Sequence, residues 1–393
     1  MSKRFMGPMV VLLIIQFLVM VGFGIVIPIL PFFVGKLGGG AFALGIFMSA
    51  YSIMQFFFAP MWGKLSDRIG RRPVILIGLT GYGLTFLMFG MVNNLYLLIG
   101  IRALSGMVSS ATLPTSMAYL ADITEGVDRS KAMGMIGAAM GLGMIFGPAI
   151  GGWLGHYGFS LPFFVAGGLA LLLLPFTLAF LPESLKHKTE VVRRATPLLT
   201  LKVLKDPLVT LFAINFVLNF TMSMFETTFA MLAAAKVGFG PRDMGITFAI
   251  FGIFAVIVQG GLIGPLTKKF GDAKLVKAGA VLCAVGLILI ILSADYGNII
   301  FLVMSTVVFM VGHSLMVPTS SSLVTKQSTK GQGASLGLFA SFASLGRIIG
   351  PVAGGALYGI SMNLPYVTGA AFLVFIVLFA GGKLGVKTKA LQV

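Results

Sequence analysis

Glu226 is an acidic residue in an apolar part of the sequence, where a carboxyl group is more suited to chemistry than to solubility. It lies within the apolar run 208–233, whereas the other Asp and Glu residues lie between such runs or at their ends. An ionisable side chain in the hydrocarbon of a bilayer costs about 2.5–3.5 kcal/mol and by default marks a functional site. A carboxyl there can bind a proton in one conformation and release it in another. A structural salt bridge is the alternative.

Other polar residues in the apolar runs could act with this carboxyl. Arg102 and Glu226 fall toward the same side of the membrane, so the arginine could modulate proton binding across a central cavity. His313 is either a second titrating group or a hydrogen-bonded packing residue. Arg347 is compatible with pairing with Glu226, with contacting substrate or with stiffening its helix. We predict proton coupling by Glu226, Arg102 and His313, and a substrate cavity lined by Gln16, Arg102, Phe225, Glu226, His313 and Arg347.

Long apolar runs must position these residues. The chain has 393 residues, 58% of them apolar and 10% charged, and a mean hydropathy of +1.03. This is the composition of an integral membrane protein, in which about 20 apolar residues form one crossing. It leaves no room for a soluble domain through which a receptor or scaffold would signal. Twelve runs, termed spans 1–12, are predicted membrane helices: 9–33, 41–62, 74–92, 95–121, 132–155, 159–181, 208–233, 243–265, 275–293, 298–322, 334–361 and 364–382.

The basic residues predict the orientation of these spans. Most of the 28 Lys and Arg residues lie in segments on one side of the membrane, and only Lys36, Lys236 and Arg242 lie on the other. The positive-inside rule therefore places both termini in the cytoplasm. The net charge of +17 reflects topology, so its partner is the anionic surface of the lipid bilayer, and we expect no nucleic acid.

The two halves of the chain repeat one pattern. Gly63 and Gly70 recur 201 residues later as Gly264 and Gly271, and Pro114 recurs 204 residues later as Pro318. Similar offsets imply a duplication, so we predict an N-terminal six-helix bundle at 1–181, a cytoplasmic linker at 182–206 and a C-terminal bundle at 207–393. The longest match, at an offset of 203, pairs Gly134, Gly143, Gly147, Pro148, Gly151 and Gly152 in span 5 with Gly337, Gly346, Gly350, Pro351, Gly354 and Gly355 in span 11.

The segment between spans 2 and 3, GKLSDRIGRRP, combines glycines with opposite charges. Its aspartate can pair with the neighbouring arginines or lie at a helix N-terminus, where a negative charge gains about 0.3–1 kcal/mol. Its glycines fit tight turns. Arginines that only anchor the topology are the alternative. We predict a cytoplasmic gate formed by Gly63, Asp67, Arg68, Gly70, Arg71 and Arg72.

These motifs resemble those of the major facilitator superfamily, and within it the twelve-helix drug:proton antiporters, over essentially the whole chain. The segment 63–73 matches the loop signature, Arg102 in RALSG matches the helix-4 arginine, and the glycine series of span 5 matches the antiporter signature. The resemblance implies two pseudo-symmetric bundles around a substrate cavity, a cytoplasmic latch, and a span 5 that rocks against the other half. It also implies a monomer in the bacterial inner membrane, with the proton as coupling ion and no other cofactor.

Within that family, Asn219–Phe229 looks like helix 7 of the Gram-positive quinolone efflux pumps, where a glutamate after phenylalanine takes part in proton coupling. Those pumps carry an aspartate in helix 10, near where this chain has His313. Tetracycline exporters carry an acid in helix 1, where this chain has none between Gln16 and Val26. The resemblance thus implies multidrug efflux, with antibiotic resistance as its consequence.

Other functions are weakly supported by the sequence. The GxSxG at Gly333–Gly337 opens a predicted membrane helix rather than a strand-to-helix turn, so we expect no enzyme. No phosphate-binding loop is present, and a single cysteine, Cys283, excludes a Cys-based metal cluster. The predicted spans contain two arginines and one glutamate, a balance of charge that fits a neutral, zwitterionic or anionic substrate at least as well as a cationic one. Export of an endogenous sugar, peptide or lipid and uniport without protons stay open as alternatives.

Overall fold

The computed structural model of the protein describes residues 3–185, 206, 208–328 and 332–380. Within these ranges every regular element is helical, as predicted. Most of the predicted linker, 182–206, lies outside the described residues, as do the last residues of the chain. The helices are α1 (Lys3–Lys36), α2 (Ala41–Ile69), α3 (Arg71–Met91), α4 (Leu95–Ser109), α5 (Thr112–Ile123), α6 (Gly126–Gly155), α7 (Leu161–Phe180), α8 (Val209–Val237), α9 (Pro241–Val256), α10 (Ile263–Phe270), α11 (Asp272–Asp295), α12 (Ile299–Gln327), α13 (Gln332–Ile360) and α14 (Leu364–Ala380).

The predicted spans are recovered as helices, with two interruptions. Within the described ranges, 11 helical stretches are long and apolar enough to cross a membrane. Span 12 corresponds to α14, which has 17 residues. Span 4 divides into α4 and α5 just before Pro114, and span 8 contains a π-helical turn at Ile257–Leu262. Pro114 lacks a backbone donor just after the break in span 4, and the π-helical turn changes the regular ladder of backbone hydrogen bonds in span 8.

The described residues pack into two units. Of the described residues, unit 1 combines 3–39, 46–185 and 240–252, and unit 2 combines 40–45, 206, 208–239, 253–328 and 332–380. Each unit thus holds most of one sequence repeat and a short segment from the other. The domain bounds given by the sequence stay a prediction, because these units are defined by packing rather than by the repeat.

In unit 1, the glycines of α6 allow a close approach to α1. A Cβ at Gly147 would lie 2.5 Å from the carbonyl oxygen of Val21, and one at Gly151 would lie 2.7 Å from that of Ile25. Real Cβ atoms do not approach so closely, so only glycine fits at this helix crossing. Pro148 lies in the same contact. Gly143 also belongs to it, whereas Gly134 has open space around it.

The same crossing recurs in unit 2 between α13 and α8. A Cβ at Gly350 would lie 2.6 Å from the carbonyl oxygen of Phe220, the position 199 residues after Val21. Gly346 and Gly354 continue the contact, whereas Gly337 has open space, as Gly134 does. The duplication inferred from glycine spacing therefore extends to the partner helix, which the sequence pattern did not reveal.

Candidate functional site

The carboxyl of Glu226 lies on α8 in unit 2. Its side chain is half-buried, between the buried residues Phe225 and Thr227. The charged group that interacts with it is the guanidinium of Arg347 on α13. Of the three roles left open for Arg347, the structure therefore supports an electrostatic partnership with Glu226.

A ladder of asparagines on α8 orients Arg347. Its Nη1 donates to Oδ1 of Asn219 at 3.2 Å, and Nδ2 of Asn219 donates to Oδ1 of Asn215 at 3.0 Å. Nδ2 of Asn215 in turn donates to the backbone oxygen of Phe339 on α13 at 2.7 Å. Positions 215, 219 and 226 share one helix face, so the two asparagines lie on the side of α8 that carries the carboxyl. Asn215 and Asn219 were missed as site residues, although their spacing from Glu226 is a readable signal.

Arg102 lies on α4 in unit 1, and its side chain is 1% exposed. Its guanidinium carbon lies 4.4 Å from the ring centroid of Tyr51, 5.1 Å from that of Phe47 and 5.9 Å from that of Phe23. Aromatic faces attract a desolvated cation by about 2 kcal/mol or more. Within the described residues, its Nε has no hydrogen-bond partner. The rings, hereafter the aromatic cage (Phe23, Phe47 and Tyr51), therefore contribute much of the stabilisation of this buried charge.

We expect the aromatic ring of Tyr51 to contribute more to the stability of the protein than its hydroxyl group does. Tyr51→Phe keeps the ring and loses only the bond that Oγ of Ser109 donates to the hydroxyl at 3.1 Å. Tyr51→Leu removes the nearest aromatic face, so it should cost about 2 kcal/mol of stability. Thermal unfolding of the purified variants measures the difference. Equal midpoints for Tyr51→Leu and Tyr51→Phe would show that the ring does not stabilise Arg102.

The remaining predicted cavity residues differ in burial. His313 on α12 is half-buried, and none of the hydrogen bonds between described residues involves its imidazole. Gln16 is fully buried, and its Nε2 donates to Oγ of Ser116 at 2.9 Å. Phe225 is 1% exposed and packs against Phe229 at a centroid distance of 4.8 Å. Gln16 and Phe225 are core residues in this structure, and their contact with substrate stays a prediction.

The predicted gate segment is almost entirely helical. Since α2 extends to Ile69 and α3 begins at Arg71, only Gly70 separates the two helices. Gly70 has a φ of 110°, a conformation that favours glycine. Gly63 lies inside α2 with open space around it. The tight-turn prediction is thus confirmed for Gly70 and wrong for Gly63.

Arg71 is the centre of the charge cluster at this turn. Its Nη1 lies 2.5 Å from Oδ1 of Asp67 and donates to Oγ of Ser66 at 2.6 Å. Its Nε lies 3.1 Å from Oδ2 of Asp122, at the end of α5. Among the described ion pairs, Asp67 therefore pairs with Arg71, and neither of the other two predicted arginines takes part. Arg72 instead donates to the backbone oxygen of Leu178, and Arg68 is exposed.

The anion at the N-terminus of α3 is Glu183 rather than Asp67. The two carboxylate oxygens of Glu183 accept the backbone amides of Arg71 at 2.9 Å and Arg72 at 3.1 Å. A helix that begins with two arginines places positive charge at the positive end of its dipole, so a carboxylate there is favourable. That charge pattern predicts an anion at this helix end but does not select Glu183, which lies 112 residues from Arg71.

The second repeat carries an equivalent ion pair with its charges reversed. Asp272, at the first residue of α11, lies 2.6 Å from Nζ of Lys326 near the end of α12. The offset from Arg71 to Asp272 is 201, and that from Asp122 to Lys326 is 204, the two offsets of the repeat. Both repeats thus link the same two helix ends through opposite charge orders.

This symmetry predicts that the acidic and the basic residue of the pair Asp272 and Lys326 can be exchanged for each other. Lys326→Glu places a second carboxylate beside Asp272, which is 6% exposed, so we expect the midpoint of thermal unfolding to fall. Adding Asp272→Lys should restore most of the loss, since the first repeat uses that order. Restoration should be incomplete because the lysine would meet the positive end of the α11 dipole. A double variant no more stable than Lys326→Glu alone would contradict this equivalence.

Known proteins match the chain along most of its length. The model of the Major Facilitator Superfamily matches residues 12–262 and 211–389. "Multidrug resistance protein 2" of Bacillus subtilis is 30% identical over 365 residues, 91% of this chain and 90% of that protein. "Quinolone resistance protein NorA" of Staphylococcus aureus is 30% identical over 349 residues, 89% of each chain. The crystal structure of the nucleoside transporter NupG, at 17% identity, superposes with a TM-score of 0.80 over 97% of this chain and 100% of that one, which shows the same fold.

Proposed function

The chain belongs to the Major Facilitator Superfamily, and on that premise we propose that it exports small amphiphilic compounds from the cell in exchange for protons. The two curated relatives, both named for drug resistance, support multidrug efflux. The proposal includes a bacterial inner membrane location, both termini in the cytoplasm and a monomeric transporter. It also assigns the chain no enzymatic activity.

A single observation carries the proposal. Among the described residues, Glu226 is the acidic side chain in a helix interior, whereas the others lie in loops or in the terminal turns of helices. It is half-buried, and its charged neighbour is a permanent cation. A carboxyl that changes its ionisation is a suitable carrier for one proton in each transport cycle.

We assign the other residues around this carboxyl. Arg347 and its asparagine ladder set the strength with which Glu226 holds its proton. Arg102 keeps its predicted part in proton coupling, with its buried charge held in the aromatic cage of unit 1. The cluster of Asp67, Arg71 and Asp122 governs closure on the cytoplasmic side. The two glycine series allow close helix contacts that separate and form again as the two halves rock.

Proteoliposomes that contain a pH-sensitive dye test the proposal. Addition of a quinolone, a lipophilic cationic dye or a sugar should move protons only with compounds that the protein carries. Transport of a labelled compound without proton movement would identify a uniporter, and selective transport of the sugar would identify a metabolite exporter. Either result would overturn the proposal, and so would the absence of any transport by a folded protein.

A further inference from the structure

The second half of α2 carries a groove on one side of the helix. The groove has a volume of about 380 Å³, within the usual size of a ligand pocket. It combines an apolar floor with two cations at one end. The residues that line it are Phe58, Met61, Trp62, Lys64, Leu65 and Arg68.

The residues of the groove lie in order of depth along the helix. Positions 58, 61, 65 and 68 recur every three or four residues and therefore share one face. From Phe58 to Arg68 the helix rises about 15 Å, which is about half of the 30 Å hydrocarbon core. The groove is thus about as long as one leaflet is thick, with its cations at the end that the charge distribution assigns to the cytoplasm.

The floor of the groove is apolar and partly open. The indole Nε1 of Trp62 donates to the backbone oxygen of Met107 on α4 at 2.7 Å, so the polar edge of its ring is already satisfied. Met61, by contrast, is 58% exposed. An exposed apolar surface of this kind suits an aliphatic chain better than it suits water.

The cations of the groove have no counter-ion among the described residues. Lys64 and Arg68 are exposed and lie one turn apart, and neither takes part in an ion pair among the described residues. Two like charges at this spacing repel each other unless an anion lies between them. A phosphate group would meet both cations at the depth where lipid headgroups lie.

We propose that this groove binds an anionic phospholipid of the cytoplasmic leaflet. The headgroup phosphate lies between Lys64 and Arg68, and one acyl chain lies along Met61, Trp62 and Phe58. The orientation of the site rests on the proposed topology, but lipid binding does not depend on transport activity. An inactive protein can therefore still show this site.

Fluorescence of Trp62 can report the bound lipid directly. The chain has two tryptophans, so Trp153→Phe leaves Trp62 as the one reporter. In phosphatidylcholine bilayers, brominated phosphatidylglycerol should quench Trp62 at lower mole fractions than brominated phosphatidylcholine. Each cation near an anionic surface corresponds to about a fivefold preference, and two to about 30-fold.

The repeat supplies a matched control for charge. Lys64→Gln with Arg68→Gln should bring the preference close to one. Lys268→Gln with Lys269→Gln removes two cations from the equivalent end of α10 and should leave the preference unchanged. Equal quenching by the two lipids, or a preference that survives loss of Lys64 and Arg68, would overturn the proposal. Should the double variant not fold, high salt applied to the parent protein serves instead, and a preference that persists there overturns it.

Discussion

Glu226→Gln abolishes uphill export but leaves the exchange of substrate across the membrane, if this carboxyl carries the proton. The amide has the same shape and cannot change its charge, so substrate movement loses its link to the gradient. One charge that crosses 100 mV contributes about 2.3 kcal/mol, or about a 50-fold concentration ratio. Reconstituted vesicles should therefore lose an accumulation of that order, while labelled substrate still exchanges between the two compartments.

A direct measurement separates coupling from damage to the fold. Substrate added to the purified protein in weak buffer should release protons from the parent and none from Glu226→Gln. Asp295→Asn is a suitable control, because that residue forms an exposed pair with Lys236 at 2.7 Å and exposed pairs contribute little. Equal proton release by the parent and Glu226→Gln would remove this residue from the coupling mechanism.

The partners of Glu226 show how far sequence reasoning extends. The cost of a carboxyl in an apolar run identifies Glu226 from a single sequence, because the penalty is local. Its partnership with Arg347 joins positions 121 residues apart, and the sequence alone left three roles open. For Arg102, the sequence suggested an interaction with Glu226, which stays a prediction, and it gave no sign of the aromatic cage around the guanidinium. Aromatic residues are so frequent in membrane helices that no pattern distinguishes those that contact a cation.

The limits of the helices follow the same logic. Hydropathy places span 2 at 41–62, and the crossing itself is recovered. Hydropathy cannot show that α2 continues to Ile69, because a helix outside the bilayer does not need apolar residues. It needs only its backbone hydrogen bonds and some favourable side-chain contacts. Those contacts involve Ser66, Asp67 and Arg71, two of them charged. A stretch that looks like a polar loop by composition is therefore a pair of helix ends.

A second contact of the glycine series predicts where motion occurs. A Cβ at Gly152 on α6 would lie 2.5 Å from the backbone oxygen of Pro241 and 2.6 Å from Cα of Gly245, both at the start of α9. The matching residue Gly355 on α13 meets the backbone of Ala41, at the start of α2. Each contact joins a helix of one repeat to the first turns of a helix of the other. In the proposed topology these contacts lie toward the outside, so the proposed transport cycle would require them to separate there, whereas the crossings of α6 with α1 and of α13 with α8 could persist.

Gly152→Ala should therefore shift the conformational equilibrium, and Gly147→Ala should chiefly lower stability. Overpacking costs about 1–3 kcal/mol, which corresponds to a 5–150-fold shift in an equilibrium.

Cys283 is fully buried, so a cysteine introduced at Gly240 reports access by a membrane-impermeant maleimide. Labelling should be faster by that factor with Gly152→Ala, and unchanged with Gly147→Ala, whose added methyl group would meet Val21 of α1 instead. Gly134→Ala, at a position with open space, is the neutral control. If Gly152→Ala labels at the rate of Gly134→Ala, the contact between α6 and α9 does not limit access from the outside.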